Sequence, residues 1–130
     1  MEASHSLSVW NRACGLAVKV YDLTRDCQDG VFREQLTDTS ISLAAQIAAG
    51  YERSSPRHFA QYLEQARSRC AELRTQLYLA AQIDLITLQC STELMQESLE
   101  ISRALQALIG WCEAQAEGPG RLRVQVREPG

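Results

Sequence analysis

Residues 55–83, SPRHFAQYLEQARSRCAELRTQLYLAAQI, decide the fold. Phe59, Leu63, Ala66, Cys70, Leu73, Leu77 and Ala80 follow one another at intervals of 4, 3, 4, 3, 4 and 3. That spacing keeps one apolar stripe of a helix against nearly aligned neighbours. Ser55 supplies a hydroxyl that can accept from an unpaired N–H of the first turn, and Pro56 has no N–H to leave unpaired there, so the helix starts at Pro56. At about 1.5 Å per residue, Pro56 to Ile83 spans about 40 Å.

Upstream, ISLAAQIAAG at residues 41–50 closes a helix predicted over 31–53, with Leu36, Leu43 and Ile47 as its apolar anchors. Ala44, Ala45, Ala48 and Ala49 read as a close-packing face, because a methyl side chain lets a neighbouring axis come near. Gly50 reads as the residue that takes a left-handed backbone where this helix ends. Asp29-Gly30 separates it from a first helix over 8–27, with Ser8 as N-cap and Val9, Ala13, Leu16, Ala17, Val20 and Tyr21 on the apolar side. Downstream, Ser91 reads as the cap of a fourth helix over 91–116, whose Leu94, Ser98, Ile101, Leu105, Leu108 and Cys112 repeat the heptad spacing; Trp111 lies beside that stripe.

Four amphipathic helices with short connections predict an all-α, antiparallel up-down-up-down four-helix bundle over residues 1–117. Residues 118–130 read as a flexible tail. Their alternating Leu122, Val124 and Val126 offer a short strand as the other reading.

The formal charge of −3 argues against general attraction to a phosphate backbone. A local surplus of arginine between Glu52 and Arg74 leaves one nucleic-acid reading open, through Arg53, Arg57, Arg67 and Arg74 against RNA or DNA. The acidic fourth helix suggests another use of this asymmetry, pairing basic helix three with acidic helix four between subunits.

Catalysis finds no support. His5 lies at the N-terminus and His58 in the first turn of the third helix, and neither stands in a nucleophile–base pattern. Glu2-Ala-Ser-His5 is a single Glu-x-x-His without a partner, so no metal and no cofactor is expected. Glu72 has Arg69 three residues earlier as an ion-pair partner. The five cysteines form no CxxC pair and no apolar stretch follows Met1. Reduced thiols in the cytoplasm are the expectation, with no membrane association.

Three stretches together resemble a known family: SVWNRACGLAVKVYDLTRD, ISLAAQIAAGYERSSPRHFAQYLEQA and CAELRTQL. They are similar to the four-helix bundle proteins encoded in intervening sequences of bacterial large-subunit ribosomal RNA genes. That family also looks like the accessory variability determinant of diversity-generating retroelements. The family pattern V-S-I-P-S-N-I-A-E-G falls on residues 41–50, keeping Ser42, Ile47, Ala48 and Gly50. It departs at Ala44, Gln46 and Ala49, where the family has Pro, Asn and Glu. Tyr62-Leu63, Ala66, Glu72, Leu73 and Thr75-Gln76-Leu77 match further on. The resemblance implies a homo-oligomer, typically a pentameric ring, with no enzymatic activity. The retroelement relatives are basic and bind nucleic acid and a reverse transcriptase, and this acidic chain departs from them there.

Overall fold

The computed structural model describes the backbone of residues 2–127 and the side chains of 5–117. Four helices follow in order: α1 (Glu2–Thr24), α2 (Gly30–Tyr51), α3 (Pro56–Gln82) and α4 (Leu88–Arg127). Each packs against its neighbour in sequence and α4 closes on α1. Among the described residues no backbone Cα of α1 comes within 8 Å of α3, nor of α2 within 8 Å of α4, so these pairs lie diagonally across the core. The result is the up-down-up-down bundle that the periodicity predicts.

The two heptad stripes make its centre. Every one of the seven apolar positions of α3 is buried, as are Leu94, Ser98, Ile101, Leu105, Leu108 and Cys112 of α4. Val9, Ala13, Leu16 and Val20 of α1, with Leu36, Leu43 and Ile47 of α2, complete the core.

Two serines of α4 tie it to α3 and mark its direction. The Ser98 hydroxyl donates to the Cys70 carbonyl at 3.0 Å and the Ser91 hydroxyl to the Leu77 carbonyl at 2.8 Å. Position rises on one helix as it falls on the other, so the two are antiparallel. A buried hydroxyl without such a partner would be costly.

The helix ends differ from the sequence reading where one hydroxyl competes with another. Asp29 caps α2, accepting from the Phe32 N–H at 3.0 Å, and Ser55 caps α3, accepting from the His58 N–H at 3.4 Å. Thr87, not Ser91, caps α4: its Oγ1 accepts from the Cys90 N–H at 3.1 Å. Ser91 faces inward one turn later. Ser8 is likewise no cap, because α1 already begins at Glu2 and Ser8 lies exposed within it. The turn after α3 closes when the Leu85 N–H donates to the Ala80 carbonyl and the Asp84 N–H to the Ala81 carbonyl. Asp84 sits at φ 63°, the left-handed conformation this paired motif demands. The α4 backbone continues through 118–127, so the short strand considered for the tail is not formed there; residues 128–130 lie outside the described residues.

Gly50 does not terminate α2. The helix runs on to Tyr51 and Glu52 closes it, its N–H donating to Ala48. A Cβ at residue 50 would stand 2.7 Å from the Tyr62 Cβ and 3.0 Å from the Phe59 ring, so the glycine is where α2 and α3 come closest. The alanines are not a close-packing face within the bundle. Only Ala44 is buried; Ala49 is half-buried, while Ala45 and Ala48 are exposed. Leu36, Leu43, Ile47 and Gly50, at intervals of 7, 4 and 3, set the inward stripe of α2, and the alanines fall mostly on the opposite side.

Candidate functional site

The outer side of α1 carries a second apolar stripe beside the buried one. Leu7, Trp10, Cys14, Val18 and Tyr21 follow at intervals of 3, 4, 4 and 3, and all but the half-buried Cys14 are exposed. Tyr21 therefore belongs to this outer stripe and not to the core. Helix α2 adds Ile41, Ala45, Ala48 and Tyr51 on its outward side. The two helices meet in a groove of about 460 Å³, lined by Ser6, Leu7, Trp10, Ile47, Ala48, Tyr51 and Glu52. That register, Leu7 beside Tyr51 and Trp10 beside Ala48, brings Val18 level with residues 40–41. A long apolar face thus follows the α1–α2 seam, larger than the scattered exposed leucines of an ordinary surface.

This face is visible in the sequence only as a second 3–4 repeat on a helix that already has one. Tyr21 and Ala17, adjacent to both stripes, blur the two into a single broad apolar side.

The arginines do not gather into one basic surface. Arg53, just after α2, lies over the Tyr62 ring at 5.0 Å and donates to its hydroxyl at 2.6 Å. Arg67 pairs with Glu64 at 3.1 Å, and Arg74 donates to Ser98 at 3.3 Å between α3 and α4. Arg57 lines a cleft with Glu64, Glu113 and Glu117, so three carboxylates stand near its charge. Basic α3 and acidic α4 are therefore neighbours within one chain. Arg12 of α1 also forks onto Glu97 and Glu100 of α4, at 2.9 and 2.7 Å. The hydrogen bond from Arg12, then that from Gln96, holds the Glu100 carboxyl below its usual range. All three side chains are part-exposed, so solvent screens the network.

Between α2 and α3 lies a polar cleft containing Asp38, Ser42, Arg69, Glu72 and Gln76. Arg69 and Glu72 pair at 2.7 Å, the partnership their spacing predicts. Among the described residues no group of three or more His, Cys, Asp or Glu could hold a metal ion. No helix there is long and apolar enough to cross a membrane.

All five thiols are free, with Cys70 and Cys112 buried. Burial pushes each of these two up to about 11. In native protein at pH 8, a disulfide-exchange reagent is expected to label Cys27 and Cys90 quickly, Cys14 more slowly because burial raises its thiol, and Cys70 and Cys112 only on unfolding. Equally fast labelling of all five would contradict the seam. Because folding raises these two thiols, the stability they contribute is full below the ordinary thiol value and is lost as pH climbs towards about 11.

The comparisons agree with this architecture. No curated protein matches the chain. A crystal structure of a protein of unknown function from the S23 ribosomal protein family of Bacteroides thetaiotaomicron VPI-5482 superposes with a TM-score of 0.77. The match is at 21% identity and covers 82% of this chain and 98% of that one. At that identity the likeness concerns the fold. The model of the family described as 23S rRNA-intervening sequence protein matches residues 5–107, nearly four-fifths of the chain, from α1 to midway along α4, and the protein belongs to that family.

Proposed function

We propose that the protein is a non-enzymatic scaffold or adaptor that works as a homo-oligomer, its copies joined through the outer α1–α2 face. The observation that carries this is the apolar stripe on α1: Leu7, Val18 and Tyr21 are each more than half exposed, at 56, 59 and 52%. Helix α2 extends it with Ile41 and Tyr51. Covering such a face with identical copies removes apolar area from water at about 25 cal/mol per Å². The pentameric ring is the assembly the family resemblance implies, and the cytoplasm is the compartment that the free thiols favour. The internal partners of Arg53, Arg67 and Arg74 weigh against an RNA- or DNA-binding role for these side chains.

Sedimentation velocity at micromolar concentration is expected to show a species five times the 14.5 kDa chain. Val18→Asp, which puts a charge on the face without entering the core, is expected to weaken association more than about tenfold, since an unpaired charge at a buried contact costs several kcal/mol. Its circular dichroism should match that of the unmodified chain. A monomeric unmodified protein under these conditions would end the scaffold reading.

A further inference from the structure

The register that sets Leu7 beside Tyr51 and Trp10 beside Ala48 also brings Ser6 level with Glu52. The groove of about 460 Å³ between α1 and α2 thus has a hydroxyl and a carboxylate at one level, while the rest of its lining is aliphatic or aromatic: Leu7, Trp10, Ile47, Ala48 and Tyr51.

Neither of these two polar groups is used by the fold. Ser6 is only 3% exposed, and its Oγ has no hydrogen-bond partner. A hydroxyl withdrawn from water and left unbonded is costly, and a ligand atom that bonds it removes that cost. Glu64, Glu72, Glu97 and Glu100 are each in an ion pair, whereas among the described residues no cation pairs with Glu52. Arg53, next to it in the chain, is turned to Tyr62 instead.

These features specify a ligand by its chemistry. A carboxylate without a counter-ion, beside the aromatic side chains of Trp10 and Tyr51, favours a cation. An ammonium with N–H donors can bond the carboxylate and the Ser6 Oγ together, which a quaternary ammonium cannot. The apolar walls suit a hydrocarbon body on that head, and the volume falls within the range of about 300–1,000 Å³ typical of small-molecule sites. We infer that the α1–α2 groove binds a small amphipathic primary amine, its ammonium between Glu52 and Ser6 and its apolar body against Leu7, Trp10 and Ile47. The groove on the other flank of α1 is the natural control. It is of similar size, about 440 Å³, and includes Val9, Leu108 and Trp111, but its polar residues are His5 and Ser8 and it has no carboxylate. The amine site is complete within one chain and does not rest on self-association; a copy docked on the same face competes with the amine for it.

Three probes with similar bodies and different heads test the site: phenethylamine, phenethyl alcohol and phenylpropionate. Each is titrated at neutral pH into the 15N-labelled full chain and into its Val18→Asp variant, which keeps the groove and disfavours a neighbour on the face. The indole N–H of Trp10 reports the groove and that of Trp111 the opposite flank. The amine is expected to shift the Trp10 signal and not that of Trp111, and to bind about tenfold more tightly than the alcohol, with the carboxylate weaker still. Glu52→Gln is expected to remove the preference for amine over alcohol. Ser6→Ala is expected to weaken the amine about threefold without lowering the midpoint of thermal unfolding, because the deleted hydroxyl has no partner in the fold. Equal binding of amine and alcohol, a shift at Trp111 alone, no saturable binding in either chain, or an affinity that both substitutions leave unchanged overturns the site. Binding by an unmodified chain that sediments as a monomer leaves the site standing and ends only the scaffold reading.

Discussion

Leu73→Ala is expected to lower the free energy of unfolding by about 2–5 kcal/mol. Leu73 has no solvent exposure and sits midway along the α3 stripe between Cys70 and Leu77. Truncation loses the transfer energy of the removed carbons and leaves a cavity. The surrounding side chains are anchored on separate helices and cannot all move in to fill it. Leu79 on the same helix is 45% exposed, so Leu79→Ala is the internal control and should cost under about 1 kcal/mol. Urea denaturation of both variants measures the contrast, read from the midpoint at unchanged slope. Losses of equal size would mean that the α3 stripe does not face the core.

The second large effect belongs to a single methyl group. Alanine in place of glycine inside a helix ordinarily stabilises by about 0.5–1 kcal/mol. At Gly50 the sign reverses. The new Cβ would meet the Tyr62 Cβ at 2.7 Å, an atom fixed to the α3 backbone, so relief requires the helices to move apart and disturbs the packing between them. Gly50→Ala is expected to destabilise by about 1–3 kcal/mol, the usual cost of overpacking. Gly15, with nothing within 4 Å of its Cβ position, is the counterpart. Gly15→Ala should stabilise by the ordinary amount. Thermal or urea unfolding decides between the two signs, and a stabilising Gly50→Ala would show that α2 and α3 are not in close contact there.

The contrast between these glycines shows what the sequence conveyed and what it withheld. The α3 stripe was legible because an apolar residue every third or fourth position has one economical use, and Ser55-Pro56 marks the helix start by local chemistry alone. Gly50 was visible as a special position, but its reason was not. A glycine near a helix end is required either by its own backbone or by a neighbour's side chain, and Tyr62 is distant in sequence. Thr87 and Ser91 present the same ambiguity. Both have a hydroxyl suited to capping, and which one turns inward depends on the Leu77 carbonyl of another helix. The arginines followed the same rule: the local surplus between Glu52 and Arg74 was plain, whereas the Ser98 that engages Arg74 belongs to α4. The apolar α1–α2 face was encoded throughout, yet a second stripe beside a first becomes evident only once the first is known to be buried.

The serine ties between α3 and α4 have one more consequence. Donors at 91 and 98 and acceptors at 70 and 77 share a repeat of seven. The apolar stripes share it too, so the interface is nearly unchanged by a translation of about 10.5 Å along the helix axes. Side-chain chemistry alone therefore admits more than one alignment. The choice is made by residues 83–87, wound tightly around Asp84, which act as an indexing stop: the shortness of a turn decides which rung meets which.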